Sequence, residues 1–402
     1  MIKDLGLKRN NSFCGPPGAN LGEILGIRKA KDDVASWFEK RKAYYFHKGR
    51  ITIRYICELM DIKKGDEILV PAYNCGSEID PLIKGGASVV PYRVDRSACI
   101  DMDDLCRRIT GKTKAVYITH YFGFPQAARE IKRICQLRGL YLIEDCALSL
   151  FSRDGSEKLG TFGDVSLFSL TKSLPVPDGG ILIINNPELK KGDWRREKAH
   201  DIEVLRRSLG LSKSNILRGL SKHVYTYHLY QLLFKILSAR RKASYIAESQ
   251  TPETRPDILP DMYYNEKLNN KSISGIAGRM LGTFSAEFII KKRRENFLHL
   301  GALLEHLREV KPLFTSLPEG VCPLHFPVIV KNRDEIKAQL FARAVDAASF
   351  WRGYHRELPW DDFPDACYLK AHILALPIHH KLGENDMTYI AKNLIDLCQK
   401  NH

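Results

Sequence analysis

Short apolar runs alternate with amphipathic repeats through the first half of the chain. The runs EILVPAY, SVVPYRV, KAVYITH and LYLIED are separated by segments in which apolar residues return every three or four positions. Strands buried on both faces form continuous apolar runs, and the three-to-four spacing is typical of helices packed by one face. The pattern therefore predicts an α/β domain with a mainly parallel sheet covered by helices on both sides.

One predicted helix begins at Gly49-Arg50. Apolar residues at positions 53, 56, 57 and 60 share one helical face behind this pair. Free N–H groups at a helix start bind phosphate, and a glycine there lets the anion approach closely. The pattern is equally that of a plain helix start with an exposed arginine, so the residues alone leave both interpretations open.

The stretch from Gly139 to Gly180 contains an acid and a lysine at the ends of two apolar runs. Asp145 ends LYLIED, and Lys172 ends DVSLFSLTK, ahead of a segment rich in turn formers. Catalytic groups of open α/β sheets lie at the carboxyl ends of strands. A lysine amine can form a Schiff base with the aldehyde of pyridoxal phosphate, and a carboxylate can pair with its ring nitrogen. The other interpretation is a strand-capping aspartate and a solvated lysine.

The order of several motifs favours the first interpretation. IEDCA, LGTFGDVSLFSLTK and DGGIL, preceded by GDEILVPAYN and HYFGFPQ and followed by LPIHHKLGENDMTYIAKNL, resemble the DegT family of pyridoxal-phosphate sugar aminotransferases. The resemblance covers roughly Ala43 to the C-terminus and weakens between about 187 and 260. It implies an aspartate-aminotransferase-like α/β fold (fold type I), with pyridoxal 5′-phosphate as cofactor. The implied reaction transfers an amino group from an amino acid, glutamate being the expected donor, to a keto sugar on a nucleotide carrier.

The resemblance also implies roles for individual residues. Lys172 takes the position that bonds the cofactor and moves the proton, and Asp145 takes the position that pairs with the ring nitrogen. Some relatives have histidine in place of the lysine and act as dehydratases, so Lys172 indicates transamination. Gly49, Arg50 and Ser169 match positions that bind the cofactor phosphate, although Ser169 could equally be an ordinary strand serine.

Three further positions near the expected cofactor differ from the family or have two interpretations. Relatives stack an aromatic ring on the cofactor at the position of Cys75, so either Tyr73 takes that role or the Cys75 sulfur packs on the ring. Tyr73 could instead belong to the core. His120 ends a strand and either shapes the floor of the site or is a buried structural histidine. Leu148 stands where relatives often have glutamine or histidine.

Composition fits an ordinary enzyme with reduced cysteines and a positively charged, solvated surface. Ten cysteines occur without CxxC pairs, which predicts neither a zinc site nor a disulfide framework and fits a cytoplasmic protein. The formal charge of +15 is dispersed, and no nucleic-acid-binding signature accompanies it. We therefore expect no nucleic-acid partner, while a positive field would attract nucleotide-linked sugars. The sequence has neither a signal-peptide pattern at residue 1 nor an apolar run of membrane-spanning length.

The chain divides into three predicted parts. Residues 1–45 are expected to form an N-terminal arm, residues 46–290 the large cofactor-binding domain and residues 291–402 a small α+β domain. Within the large domain, residues 187–260 form a divergent basic helical region with an apolar stripe from Leu229 to Leu237. We expect this stripe to pack on the protein or on a second subunit of a homodimer, rather than on a membrane.

Two other function classes remain open at this stage. The departures at Cys75 and Leu148 would suit a relative that keeps the fold as a binding or regulatory module. The chain could also catalyse a different pyridoxal-phosphate-dependent reaction. The identities of the sugar and of the amino donor do not follow from the sequence.

Overall fold

The computed structural model describes residues 14–39, 41–190, 192, 194, 196–199, 204–212, 257–260, 262–307 and 309–400. The apolar stripe from Leu229 to Leu237 lies outside the described residues, as does most of the divergent region. Within the part that is described, no helix has both the length and the apolar character needed to cross a bilayer.

Helices and short strands alternate along the described chain. The helices are α1 Leu21–Leu25, α2 Val34–Trp37, α3 Gly49–Leu59, α4 Ile79–Lys84, α5 Met102–Arg107, α6 Ala128–Arg138, α7 Leu170–Ser173, α8 204–212, α9 Gly275–Leu281, α10 Ala286–Leu304, α11 Arg333–Ala342, α12 Pro364–His372 and α13 Glu384–Lys400. The first nine strands are β1 Lys42–Phe46, β2 Glu67–Pro71, β3 Ser88–Tyr92, β4 Thr113–Thr119, β5 Tyr141–Asp145, β6 Arg153–Asp154, β7 Glu157–Lys158, β8 Val165–Ser169 and β9 Gly180–Ile184. The remaining strands are β10 Glu197–Lys198, β11 Asp257–Ile258, β12 Lys271–Ser272, β13 Lys311–Pro312, β14 His325–Ile329, β15 Ala348–Ser349, β16 Tyr354–His355 and β17 Ile373–Pro377.

A seven-stranded sheet carries the candidate site. Its order is β1-β9-β8-β5-β4-β2-β3, and the five strands from β8 to β3 run parallel. Strand β9 is antiparallel to both β8 and β1. The predicted α/β class with a mainly parallel sheet is confirmed, and parallel strands β4, β5 and β8 end along one edge.

A second sheet forms the C-terminal part of the protein. Its order is β13-β14-β17-β15, with antiparallel neighbours throughout. Helices α10 and α13 pack against each other beside it. One hydrophobic cluster includes Leu69 and Val116 of the first sheet and Val328 and Leu374 of the second, so the two sheets share a core. The domain limits at 45/46 and 290/291 stay predictions; β1 pairs with β9 although it begins before residue 46.

The limits of three helices can be compared with the sequence pattern. Helix α3 begins at Gly49, as predicted, and buries the apolar face that contains Ile53 and Ile56. Helix α6 ends at Gly139, whose φ of 66° is the left-handed conformation that glycine adopts without strain. Helix α5 ends at Arg107, although the spacing of the apolar residues at positions 102, 105, 106 and 109 predicts a helix that reaches Ile109.

The carboxylate of Glu144 organises the connection from β5 to β8. It accepts hydrogen bonds from His120 Nε2 at 2.9 Å and from the backbone N–H groups of Gly160, Phe162 and Gly163, all within 3.0 Å. Burial alone would raise the pKa of Glu144, but the hydrogen bonds from His120, Gly163 and Gly160 outweigh it and lower this pKa. The buried charge is therefore fully paired, and it fixes the loop that leads into β8.

The same carboxylate belongs to a trio with metal-ligand chemistry. Atoms of His120, Glu144 and Cys146 lie within 4.8 Å of one another. Each Glu144 oxygen already accepts two hydrogen bonds, and burial raises the pKa of the Cys146 thiol well above its ordinary value. A metal ion would have to displace these N–H donors, so the trio is a hydrogen-bonded structural cluster.

Replacing Glu144 should destabilise the fold in a pH-dependent way. Glu144→Gln removes a paired buried charge, and we expect a loss of about 3–5 kcal/mol in the free energy of unfolding at pH 7. Because the folded-state pKa lies below the ordinary 4.5, the loss should be complete above pH 4.5 and shrink as the pH falls below it. Urea unfolding at several pH values measures this. The exposed Glu188→Gln is the control, and an equal effect of both variants would contradict the role of Glu144.

Candidate active site

A cleft opens at the carboxyl ends of β4, β5 and β8. It holds about 580 Å³ of space between protein atoms, part of which is open to solvent. Helix α3 and the large sheet, with the loops that follow its strands, supply most of the walls. The C-terminal part of the chain adds the Trp351 indole. The lining residues are Lys48, Gly49, Arg50, Ile53, Cys75, Ser77, Glu78, Tyr117, Asp145, Ala147, Leu148, Leu167, Ser169, Lys172 and Trp351.

Asp145 lies on the floor of the cleft at the end of β5 and is 8% exposed. Its carboxylate accepts hydrogen bonds from the Tyr117 hydroxyl and from the Ala147 N–H, both at 2.8 Å. Burial raises the pKa of Asp145, and the negative charge of Glu78 adds to the rise, while Lys172 opposes it. The floor of the cleft therefore favours a bound cation, which would stabilise the charged form of the Asp145 carboxylate.

Lys172 lies across the cleft in α7, the single helical turn that follows β8. The register pairs Asp145 with Leu167, so the two strands bring the acid and the lysine to the same edge. The Lys172 ammonium is 5.8 Å from the centre of the Trp351 ring. On the inner side of α7, the buried Arg293 donates a hydrogen bond of 2.7 Å to the Ser173 carbonyl. That contact holds the turn that carries the lysine.

A polar cluster forms the wall where an aromatic ring was expected. The Cys75 thiol donates to the Glu78 carboxylate at 2.9 Å and contacts the Ser77 hydroxyl at 2.8 Å. The Cys75 backbone N–H also donates to Glu78, at 3.2 Å. Burial raises the pKa of Cys75 to about 12, and Glu78 raises it further, while Lys172 opposes the rise. Cys75 is therefore a protonated thiol at neutral pH and acts as a donor rather than as a nucleophile.

The start of α3 forms the other end of the cleft. A Cβ on Gly49 would approach the Phe168 carbonyl and the Ser169 side chain to 3.2 Å, and one on Gly180 would meet the Gly49 nitrogen at 2.5 Å. Two glycines thus let β8, β9 and the helix start pack closely. Ser169 lines the cleft at the end of β8. The first N–H groups of α3 face this cleft without a side-chain cap, as an anion site requires.

Arg50 lies at the rim of this end of the cleft. Its guanidinium donates to the Tyr263 carbonyl and lies 5.6 Å from the centre of the Tyr263 ring. The arginine is thus held beside the helix start rather than projecting freely into solvent.

Two of the predicted cofactor-binding residues lie behind the cleft wall. Tyr73 is fully buried, donates to the Phe350 carbonyl at 2.9 Å and packs against Trp351 with ring centres 5.1 Å apart. His120 accepts the Gln126 N–H at Nδ1, so its proton is on Nε2 and is donated to Glu144. Neither residue lines the cleft, and both positions match the core interpretations that the sequence left open.

The sequence pattern did not identify Tyr117, Glu78 or Trp351, which also line the cleft. Tyr117 is two positions before Thr119, the β4 partner of Asp145, so strand alternation places it on the Asp145 face and could have identified it. Glu78 lies three residues after Cys75, in a turn where an acid is unremarkable. Trp351 comes from a distant part of the chain, and no local pattern connects it with Lys172. Leu148, the departure noted in the sequence, does line the cleft.

Comparisons with known proteins agree with this geometry. Residues 31–205 match the model of the DegT/DnrJ/EryC1/StrS aminotransferase family. The match covers a little under half of this chain and agrees with the resemblance that its motifs show. The GDP-perosamine synthase of Vibrio cholerae is 29% identical over 163 residues, which are 40% of this chain and 44% of that protein. The dTDP-4-dehydro-2,3,6-trideoxy-D-glucose 4-aminotransferase of Saccharopolyspora spinosa is 31% identical over 170 residues, 42% of this chain and 44% of that protein. This chain thus aligns with less than half the length of either relative.

The fold agreement extends over the whole chain. The aminotransferase TlmJ of Streptoalloteichus hindustanus superposes with a TM-score of 0.67 at 17% identity, over 97% of this chain and 100% of that one. The fold is therefore the fold type I arrangement expected from the sequence. Pyridoxal 5′-phosphate is the cofactor of this family.

The residues of the cleft fit that cofactor. A buried carboxylate with a raised pKa favours a cationic ring nitrogen, and a lysine that lines the same cleft is the group that could bond an aldehyde. Uncapped N–H groups at a helix start and an adjacent serine offer a phosphate site.

Proposed function

We propose that this protein is a pyridoxal-phosphate-dependent aminotransferase that moves an amino group from an amino acid donor to a keto sugar. We further propose glutamate as the donor and a nucleotide-linked sugar as the acceptor. The observation that carries the proposal is that Asp145 and Lys172 line one cleft and interact electrostatically, with Tyr117 donating to the acid. Cys75 and Leu148 suggest a binding module as the alternative, but a binding module would not require Asp145 and Lys172 to lie in one cleft.

Lys172 and Asp145 have different tasks in the proposed reaction. The bound cofactor supplies an electron-accepting ring, which stabilises negative charge next to the reacting carbon. Asp145 keeps a positive charge on the ring nitrogen, and Tyr117 holds the carboxylate in place. Lys172 would hold the cofactor through its amine, and as a free amine it would take a proton from one carbon and return it to another.

The remaining wall residues orient the ligand. Gly49 and Ser169 bind the phosphate through the helix start and a hydroxyl, and Arg50 adds a positive charge at the rim. Leu148 and Leu167 give the cleft an apolar side, which excludes water from the reacting atoms. Trp351 closes the cleft from the C-terminal part of the chain.

Variants of the central pair should separate the two tasks. Lys172→Ala should abolish covalent attachment of the cofactor, so that borohydride reduction leaves no lysine modified in a mass spectrum. Asp145→Asn should still be modified at Lys172 but should lose at least ten- to a hundredfold in transamination rate. The loss follows from a charged hydrogen bond of about 1.5–3 kcal/mol and from the tenfold change in rate per ~1.4 kcal/mol.

The control for this pair is an exposed lysine. Lys112→Ala should behave like the parent in both measurements. Lys158 would be a poorer control, because its ammonium donates to the Trp37 carbonyl at 2.7 Å. Modification of a lysine other than Lys172, or an Asp145→Asn variant that transaminates at the parental rate, would contradict the assignment.

Arg50 should matter for cofactor affinity more than for folding. Arg50→Ala should weaken binding of pyridoxal 5′-phosphate about tenfold, the loss of ~1.4 kcal/mol expected for one charged phosphate contact. The free energy of unfolding should change by less than about 0.5 kcal/mol, as for most surface substitutions. Titration of the visible absorbance and urea unfolding measure the two quantities. Arg54→Ala, one turn further along α3, is the matched control, and equal affinity of both variants would remove Arg50 from the phosphate site.

A homodimer with the clefts at its interface completes the proposal. Leu259, Met262 and Tyr263 are 44–56% exposed, and Tyr263 contacts Arg50 at the rim of the cleft. Exposed apolar residues grouped beside a site are typical of a protein interface, and we assign them to a second copy of this chain. Sedimentation velocity at micromolar concentration should show a dimer of 45.8 kDa subunits, and a monomer alone would refute this part.

A further inference from the structure

Lys370 is a lysine buried beside the cleft, on helix α12, and it is 1% exposed. Its ammonium donates hydrogen bonds to the carbonyl of Gly353 at 2.8 Å, to that of Trp351 at 3.2 Å and to that of Asn74. All three N–H bonds of an ammonium are thereby matched by three backbone acceptors.

The three acceptors come from two segments that are distant in sequence and meet beside the cleft. Asn74 follows β2 and precedes the polar wall that contains Cys75 and Glu78. Trp351 and Gly353 lie between β15 and β16, and the Trp351 indole is the wall that faces Lys172. One buried charge therefore connects the backbones of both walls.

Burying the Lys370 ammonium costs desolvation free energy, so we do not expect this side chain merely to fill space in the core. Burial lowers the pKa of Lys370 to about 8, and the negative charge of Glu78 only partly opposes this. The rings of Trp360 and Tyr354 lie 4.6 and 5.4 Å from the ammonium and add cation–π attraction. An apolar side chain would avoid the desolvation cost, yet it would leave three carbonyls without a donor.

We propose that Lys370 is a positioning residue for the reaction proposed above: its ammonium clamps the Trp351–Gly353 segment to Asn74, and so holds the Trp351 indole against the Lys172 side of the cleft. The inference rests on the proposed function only in giving Trp351 a cofactor to face. The clamp itself is a property of the protein without cofactor.

The charge on Lys370 gives the clamp a pH dependence. The neutral amine has two N–H bonds for three carbonyls, so at least one contact to the segments is lost when the proton leaves. The charged or titratable groups that face it are Cys75 and Glu78 from the polar wall, Cys367 from α12 and Tyr354 from the segment after the clamp. The contact should therefore be complete below pH 8 and weaken as the pH rises above it.

The first test uses protein without cofactor. Lys370→Met keeps the length of the side chain and removes its three donors. Hydrogen exchange read by mass spectrometry should accelerate at least tenfold in peptides that contain residues 74–78 and 350–354, and not in peptides of the sheet interior. The matched control is Lys158→Met, another lysine whose pKa burial lowers and whose ammonium donates to a backbone carbonyl, that of Trp37; it should leave both segments unchanged. Unchanged exchange at 74–78 and 350–354 in Lys370→Met would overturn the proposal.

The second test asks whether Lys370 acts through Trp351. Lys370→Met alone should weaken pyridoxal 5′-phosphate binding about tenfold, and it should weaken it less than twofold in a Trp351→Phe background. A double-mutant cycle of this kind isolates the coupling, which a general loss of stability would not produce. Additive effects would refute the positioning role, whereas failure of the unaltered protein to bind the cofactor would refute the proposed function and leave the exchange result standing.

A third measurement needs no variant and guards against a Lys370→Met protein that does not fold. In the unaltered protein, exchange at 74–78 and 350–354, corrected for the intrinsic effect of pH, should be faster at pH 9 than at pH 7 relative to the sheet interior. Equal protection of these two segments at both pH values would count against the clamp.

Discussion

The site depends on two neighbouring carboxylates at the end of one strand. Side chains alternate along a strand, so Glu144 and Asp145 project to opposite faces of the sheet. Glu144 accepts three backbone N–H groups of the loop before β8 and the proton of His120, and thereby fixes where β8 begins. Asp145 faces the cleft with only two donors. Glu144 thus gives the loop a rigid support, and the neighbouring Asp145 offers a carboxylate that still has room for a ligand.

Much of this arrangement follows from local sequence. Asp145 and Lys172 could be identified because parallel strands end at one edge, and an acid or lysine placed directly after a buried run must lie there. Gly49 could be identified from the helical spacing that follows it. The interpretation of Tyr73 and His120 stayed open, because a strand-end aromatic residue or histidine has the same pattern whether it lines a cleft or supports the wall behind it.

Contacts between distant segments are what the pattern could not provide. Trp351 and Lys370 belong to the C-terminal part of the chain, and their roles arise only when the second sheet packs on the first. In the sequence CYLKAH, Lys370 has the appearance of an ordinary solvated helix lysine. The decisive fact is that three unrelated backbone carbonyls converge on its ammonium, and this requires the tertiary fold.

The charges around the cleft explain why a thiol can replace an aromatic ring in its wall. With a pKa of about 12, the Cys75 thiol stays protonated and donates a hydrogen bond to the Glu78 carboxylate. The wall therefore carries one buried negative charge rather than two. That charge lies in the field of Lys370 on one side and raises the pKa of Asp145 on the other. A cation bound at Asp145 relieves the repulsion between the two carboxylates. Glu78 therefore strengthens the preference of the cleft for a protonated ring nitrogen, while the ammonium groups of Lys172, beside Asp145, and Lys370, beside Glu78, supply the opposing positive charge.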